Sequence, residues 1–266
     1  MKIVNFTPGL GNQIFEYIFA EYLKKTFPRE RIYGYYNPKF LNLKHNGLEV
    51  DKVFESSLPP STRWSDIIAF LCRSMSRIVP WIKATDKSFS DKAIYYDGWW
   101  QDKRFFIDTV KTIEFRQPLM DDVNIKLLDA ISKSESVSLH VRRGDYLEPI
   151  NAKNYGGICT LNYYKKAIDI IKEIYGNPQF FIFSNDIEWC TENLQIIDAV
   201  FVSNNLGENS WIDMYLMSYC KANIIANSSF SYWGAMLNKG DNTVVYPKKW
   251  FNTHTPDVFP KNWIPI

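Results

Sequence analysis

Val137-Ser138-Leu139-His140-Val141-Arg142-Arg143-Gly144-Asp145-Tyr146 runs from a β-branched strand into a histidine, two arginines, a glycine turn and a carboxylate. Alternation puts Val137, Leu139 and Val141 on one face and Ser138, His140 and Arg142 on the other. So much polar chemistry at one strand end points to its C-terminal edge as the working end. In open α/β sheets that edge binds ligands, and a guanidinium fork there suits a phosphate. The alternative is a buried strand ending in a surface salt bridge.

Downstream, a loop to Cys159 precedes a helix over 161–175, stopped by Gly176-Asn177-Pro178. A strand over 180–183 follows, and Ser184-Asn185-Asp186 opens the next helix with capping residues. Further strands are expected over 200–202, 223–226 and 243–246, with helices over 210–219 and 232–237. Upstream, 107–136 reads as a crossover carrying a short helix over 123–131. This alternation predicts a parallel, Rossmann-like sheet. Three of its strand ends carry polar loops: 140–145, 184–186 and Asn227-Ser228-Ser229-Phe230-Ser231. On one edge they can share a ligand, with Arg142 gripping a diphosphate, the serine loop donating from a helix N-terminus and Asp186 pairing with a guanine edge. For the serine loop, simple helix capping is the competing reading.

The amino-terminal half is less regular. A strand over 2–6, a loop over 7–11 and a helix over 12–27 are expected, with Ile14, Ile18 and Tyr22 at helical spacing and Phe15 and Phe19 alongside. Gly9-Leu10-Gly11 begins like a dinucleotide fingerprint, but Ile14 stands where the third glycine belongs. Asn12 and Gln13 can approach a ligand at this helix N-terminus, or the loop is only a tight connection with Asn12 near the cap. Residues 31–66 are rich in turn formers and give no clear element. The run 67–79 reads as an amphipathic helix stopped by Pro80. Its Arg73 and Arg77 could rest on an anionic membrane, but an apolar face packed on the core with solvated arginines is the expectation. Tyr95-Tyr96-Asp97-Gly98-Trp99-Trp100-Gln101-Asp102 sets flat aromatic faces beside amide and carboxylate groups, a combination that suits a sugar ring as well as a core.

Composition bounds the rest. The 266 residues carry a net charge of +2, 46% hydrophobic and 16% aromatic residues, so the chain is globular with no broad polyanion surface, and no nucleic-acid partner is expected. Cys72, Cys159, Cys190 and Cys220 show no Cys-x-x-Cys pairing, which points to a reducing compartment. The strand directly after Met1 leaves no room for a signal peptide, and no apolar run is long enough to span a bilayer. A cytoplasmic location follows as the expectation, with peripheral contact at the inner membrane through 67–81 as the alternative. The Asn227-Ser228-Ser229 sequon is then irrelevant to glycosylation. No Asp-x-Asp occurs, and His45, His140 and His254 lack ligand spacing, so neither a metal nor another cofactor is expected.

Gly9-Leu10-Gly11-Asn12-Gln13-Ile14-Phe15, His140-Val141-Arg142-Arg143-Gly144-Asp145-Tyr146 and Ser228-Ser229-Phe230-Ser231-Tyr232-Trp233-Gly234-Ala235 occur in this order. By these three motifs the chain resembles, nearly end to end, the bacterial α-1,2-fucosyltransferases of glycosyltransferase family 11. The resemblance implies a GT-B architecture of two Rossmann-like lobes around an active-site cleft. Residues 1–120 would form the acceptor-side lobe and 121–266 the lobe that binds GDP-fucose. It places Arg142 on the β-phosphate, His140 near the nucleotide and Asp186 at the guanine, with many relatives acidic also where Asn185 stands. Ser184, Asn185, Ser228, Ser229 and Phe230 complete the nucleotide-sugar set. Asn12 would lie at the fucose and diphosphate end, and Gln13, Trp99, Trp100 and Gln101 on the acceptor side.

The implied reaction is inverting and metal-independent transfer of L-fucose to a glycan hydroxyl. The expected acceptor is an oligosaccharide or lipid-linked glycan ending in galactose. Asp145 is the first candidate for a general base and Glu148 the second, unless Asp145 instead holds an arginine in place. The alternatives are an α-1,6- or O-fucosyltransferase of related fold, and a glycan-binding protein without turnover.

Overall fold

The computed structural model describes residues 1–41, 46–106, 110 and 113–266. His45 and most of the first part of the expected crossover, 107–112, lie outside the described residues. The chain divides into two compact units, Met1–Arg116 and Gln117–Ile266, four residues from the boundary expected from sequence.

In the first unit β1 (Lys2–Asn5), α1 (Leu10–Thr26) and β2 (Ile32–Tyr35) follow one another. Two short helices, α2 (Pro38–Leu41) and α3 (Val50–Val53), lead to α4 (Arg63–Met75) and the two-residue strands β3 (Lys83–Ala84) and β4 (Tyr95–Tyr96). All four strands are parallel, in the order β2-β1-β4-β3. The α1 helix starts two residues before the expected point because Gly9, at φ 94°, takes the N-cap conformation that side chains disfavour. Ile14, Phe15, Ile18 and Phe19 are all buried on it.

The α4 helix departs most from expectation. It opens at Thr62, whose side chain exchanges hydrogen bonds with Ser65 in a capping box. It ends at Met75, well before Pro80, which instead begins a 3₁₀ turn over Pro80–Ile82. Its buried residues are the small Ser65, Ala69 and Cys72, while Trp64, Ile67, Phe70, Leu71 and Met75 face solvent. A narrow face does pack on the core, through Ala69 and Cys72 with Ile68 alongside, but the large apolar side chains stand on the other side.

The second unit comprises α5 (Asp122–Lys133), β5 (Ser136–Val141), α6 (Pro149–Tyr155), α7 (Leu161–Tyr175), β6 (Gln179–Ser184), α8 (Ile187–Asn193) and β7 (Val200–Val202). Then come α9 (Trp211–Met217), β8 (Ala222–Ile224), α10 (Ser229–Met236), β9 (Thr243–Tyr246) and β10 (Ile264–Pro265). Its six strands are all parallel, in the order β10-β9-β8-β5-β6-β7. Val137, Leu139, Val141, Phe180 and Ile182 pack with Tyr163, Tyr164, Ala167, Ile168 and Ile171 of α7 on one face. Phe181, Phe183 and Val202 pack with Ile131 of α5 and with Ile212, Leu216 and Met217 of α9 on the other. Helices on both faces leave every β5 residue buried. Ser138 is satisfied there by the Asn223 amide at 2.7 Å. Three details differ from the sequence reading: α6 occupies part of an expected loop, α10 begins three residues early, and β10 adds a short strand at the sheet edge.

Beneath α9, Asn124 and Asn205 exchange amide hydrogen bonds at 2.8 and 3.0 Å, and Asn205 also donates to Asp213 at 2.8 Å. Burial pushes the Asp213 carboxyl up from 3.8 to about 7, the Asn205 bond opposing it only in part. The folded state thus holds a proton there that the unfolded chain has released, so stability falls as pH rises from 3.8 towards about 7. Thermal melting across that interval should show this slope, and Asp213→Asn should flatten it and melt higher than the parent above pH 7.

Candidate active site

From β5 the chain builds β6 and then β7 on one side, and afterwards returns to lay β8 on the other side. The strand order therefore switches between β5 and β8, and a crevice beyond the C-terminal ends of such strands is where open α/β sheets take ligands. The three polar loops read from sequence emerge from β5, β6 and β8, the three central neighbours.

Arg142 lies just past β5. Its Nε and Nη2 meet the two oxygens of Asp145 at 2.8 and 3.0 Å, a bidentate pair that fixes the guanidinium plane. The Tyr146 ring sits 5.8 Å from the same guanidinium, and its hydroxyl donates to the Asn227 carbonyl at 2.9 Å, tying the β5 loop to the β8 loop. Arg143 turns the other way, pairing with Asp186 at 3.1 Å and lying 4.2 Å over the Trp189 ring. Its backbone NH donates to Asn185 Oδ1 at 3.0 Å. Asp186 also caps α8 by accepting from the Trp189 NH at 3.2 Å, and Ser184 Oγ accepts from the Asp186 NH at 2.9 Å.

Gly144 lets the two loops come this close: a Cβ there would lie 2.4 Å from Asn185 Nδ2 and would displace that side chain. Gly144→Ala should displace the Asn185 amide from the Arg143 NH and lower nucleotide affinity by up to about fivefold, measured by calorimetry, with only a small change in melting temperature.

His140 closes the β5 end. It is 5% exposed, lies 6.0 Å from the Phe230 ring, and its Nδ1 is buried without a hydrogen-bond partner. Burial, with help from Arg142, lowers its pKa to about 3, so the imidazole is neutral at physiological pH. Ser228 takes the N-cap position of α10 without a side-chain capping bond, so the simple-capping reading does not hold for its hydroxyl. Ser229 and Phe230 fall in the first turn of that helix.

These positions bear on two expected roles. Asp145, read first as a base and otherwise as the holder of an arginine, has both oxygens on Arg142. Asp186, expected at the guanine edge, has one oxygen on Arg143 and the other on the α8 cap. Glu148 is exposed at the N-cap of α6. Tyr146 and Trp189 were missed: each holds an arginine from a neighbouring position, and only their closeness in sequence to Asp145 and Asp186 hints at it.

The remaining expected residues belong to the first unit. Asn12 lies in the first turn of α1, where its amide donates to the Pro8 carbonyl at 3.5 Å. Gln13 is fully buried: it donates to the Gly47 carbonyl at 2.7 Å and accepts from the Glu49 and Val50 NH groups at 2.8 and 3.2 Å. It pins the chain before α3, and its full burial keeps it from an acceptor, which corrects its expected role. Trp100, 1% exposed, stacks on Phe19 at 4.0 Å and 9° among Tyr96, Phe89 and Phe105. It too is a core residue. Trp99 is half-buried, and Gln101 Oε1 is buried without a hydrogen-bond partner.

What shapes this segment is Asp86, which the sequence reading overlooked. Its carboxylate accepts from the Trp99 and Trp100 NH groups at 2.9 and 2.6 Å, and Trp100 takes φ 54° to allow it. Asp97 alongside accepts from Asn5 at 2.9 Å and pairs with Lys83 at 2.6 Å. Among the described residues no group of three His, Cys, Asp or Glu side chains is placed to hold a metal ion.

Two Rossmann-like units, one with a held arginine at its switch point, make this an α/β protein of GT-B type. Its fold matches that of fucosyltransferase NodZ from Bradyrhizobium with a TM-score of 0.51 over 88% of this chain and 92% of that one, at 13% identity. The chain belongs to glycosyl transferase family 11, whose sequence profile matches residues 77–266. It is 32% identical to an alpha-1,2-colitosyltransferase of Escherichia coli, over 99% of this chain and 98% of the relative. It is also 34% identical to galactoside alpha-(1,2)-fucosyltransferase 1 of Ateles belzebuth, over 40% of this chain and 29% of that protein.

Proposed function

We propose that this glycosyltransferase moves L-fucose from GDP-β-L-fucose to O2 of a terminal galactose on an oligosaccharide or lipid-linked glycan, with inversion and without a metal ion. The observation that carries the reading is Arg142, locked by Asp145 at the switch point beside the α10 loop. The acceptor oxygen attacks fucose C1 as the bond from C1 to the β-phosphate oxygen breaks, and that electron pair leaves with GDP. Arg142 and the first turn of α10 meet the charge that develops on the diphosphate, the task a divalent ion would otherwise perform. Neutral His140, 6.0 Å from the Phe230 ring, closes the β5 end of the site beside the nucleotide sugar. Phe230 supplies an apolar wall, and Asn185 and Asp186 border the site on the β6 side. The acceptor proton passes to Glu148 or to water. In the first unit Trp99 offers a ring face to the acceptor sugar.

A second donor is compared because the relative matched over nearly its full length is a colitosyltransferase, and colitose is fucose without its 3-hydroxyl. Linkage analysis after incubation with GDP-fucose, GDP-colitose and a panel of galactose-terminated acceptors tests both. The expected product is α-1,2-fucosylated, is formed from GDP-fucose at least about tenfold faster, and is unaffected by EDTA. Preference for GDP-colitose would transfer the assignment to that sugar. A different linkage would point to the α-1,6- or O-fucosyl reading, and binding of glycan without turnover would end the enzymatic one.

A further inference from the structure

We propose that the outward face of α4 docks this protein on an anionic lipid bilayer. The helix turns only Ser65, Ala69 and Cys72 fully inward. On its other side Trp64, Ile67, Leu71 and Met75 succeed one another at helical spacing as one stripe, 75%, 49%, 48% and 45% exposed. Phe70 borders it at 63%, and the chain just past the helix adds Ile78 at 83% and Trp81 at 61%. Single exposed apolar side chains are ordinary, but this many on one helix and its continuation form a surface that water disfavours.

Charge identifies the occupant. Arg63 at the start of the helix and Arg77 just past its end are both exposed, one at each end of the stripe. The sole acid of residues 63–81 is Asp66, whose carboxylate accepts from the Ser61 hydroxyl at 2.8 Å. A second copy of the chain docking through the same face would set these arginines against their own counterparts. An anionic bilayer instead takes the apolar stripe into its acyl boundary while the guanidinium groups reach lipid phosphates, and indole rings such as those of Trp64 and Trp81 favour that depth. At 13 residues α4 is too short to span a bilayer, and no helix among the described residues is long and apolar enough to do so, so it lies along the surface. The docking stands independently of which sugar is transferred.

The test is co-sedimentation of the full chain with vesicles of phosphatidylcholine alone and of phosphatidylcholine mixed equally with phosphatidylglycerol. The protein should bind the mixed vesicles and be released by salt, with tryptophan fluorescence quenched by brominated acyl chains. Trp64→Gln with Leu71→Gln should weaken binding about tenfold or more, and each of Arg63→Gln and Arg77→Gln about fivefold. All four positions are exposed, so melting should be unchanged. If the apolar pair nonetheless unfolds, the arginine variants decide alone. Equal binding to both vesicle types, no binding to either, or parent-like binding of the variants would overturn the proposal. A dimer in sedimentation equilibrium that the apolar substitutions dissolve would overturn it in favour of a second copy.

Discussion

Arg142→Ala should lower turnover about 10²- to 10³-fold and weaken GDP binding about tenfold or more, because it removes a preorganised cation from the point where diphosphate charge develops. Calorimetry with GDP and steady-state kinetics read the two effects separately. Unchanged nucleotide affinity would end the clamp role. Asp145→Asn provides the sharper comparison, since both Asp145 oxygens bond Arg142. A base would lose turnover with GDP affinity intact, whereas a positioning residue should lose both together, less severely than Arg142→Ala. Arg142→Lys should rescue only partly, since an ammonium keeps the charge but cannot reproduce the planar fork.

The second large effect falls on stability. Trp100→Ala should cost about 3–5 kcal/mol, because it opens a cavity beneath Phe19 in the aromatic core of the first unit. Trp99→Ala, at a half-buried neighbour, should change stability by no more than about 1 kcal/mol and instead raise the KM for the glycan. Denaturant melts of the two variants separate the roles of adjacent tryptophans that look alike in sequence. If the melts show equal losses, the core assignment of Trp100 fails.

That pair shows where sequence reading stops. Period and turn punctuation located β5 to β9 and the helix Leu161–Tyr175 almost to the residue, because a parallel sheet covered on both faces writes its strands as compact apolar runs between breakers. The three loops at the centre followed from the same logic, and β5, β6 and β8 are indeed adjacent. Partner choice was not legible. Which arginine takes which carboxylate depends on loop geometry, so Arg142 with Asp145 and Arg143 with Asp186 emerged only in three dimensions. In the first unit β3 and β4 are two residues long, too short to carry a period. Gln13 and Trp100 were read as ligand-facing because their chemistry allows it, yet burial assigns each to the core. The α4 helix divides: Ala69 and Cys72 pack on the core as read, while the larger apolar side chains stand in solvent.

The switch point also sets the order in which the molecule can be made. Strand β5 meets β6 through pairs such as Val141 with Ser184, 43 residues apart, but meets β8 through Asn223 and Ser138, 85 residues apart. On an emerging chain the β5–β6–β7 half can therefore assemble while its central strand still has an open edge. Only when β8 and α10 have followed does that edge close, and the same event completes the phosphate end of the site. Closing so long a loop is slow, so the ability to hold nucleotide should be among the last properties the second unit acquires on refolding.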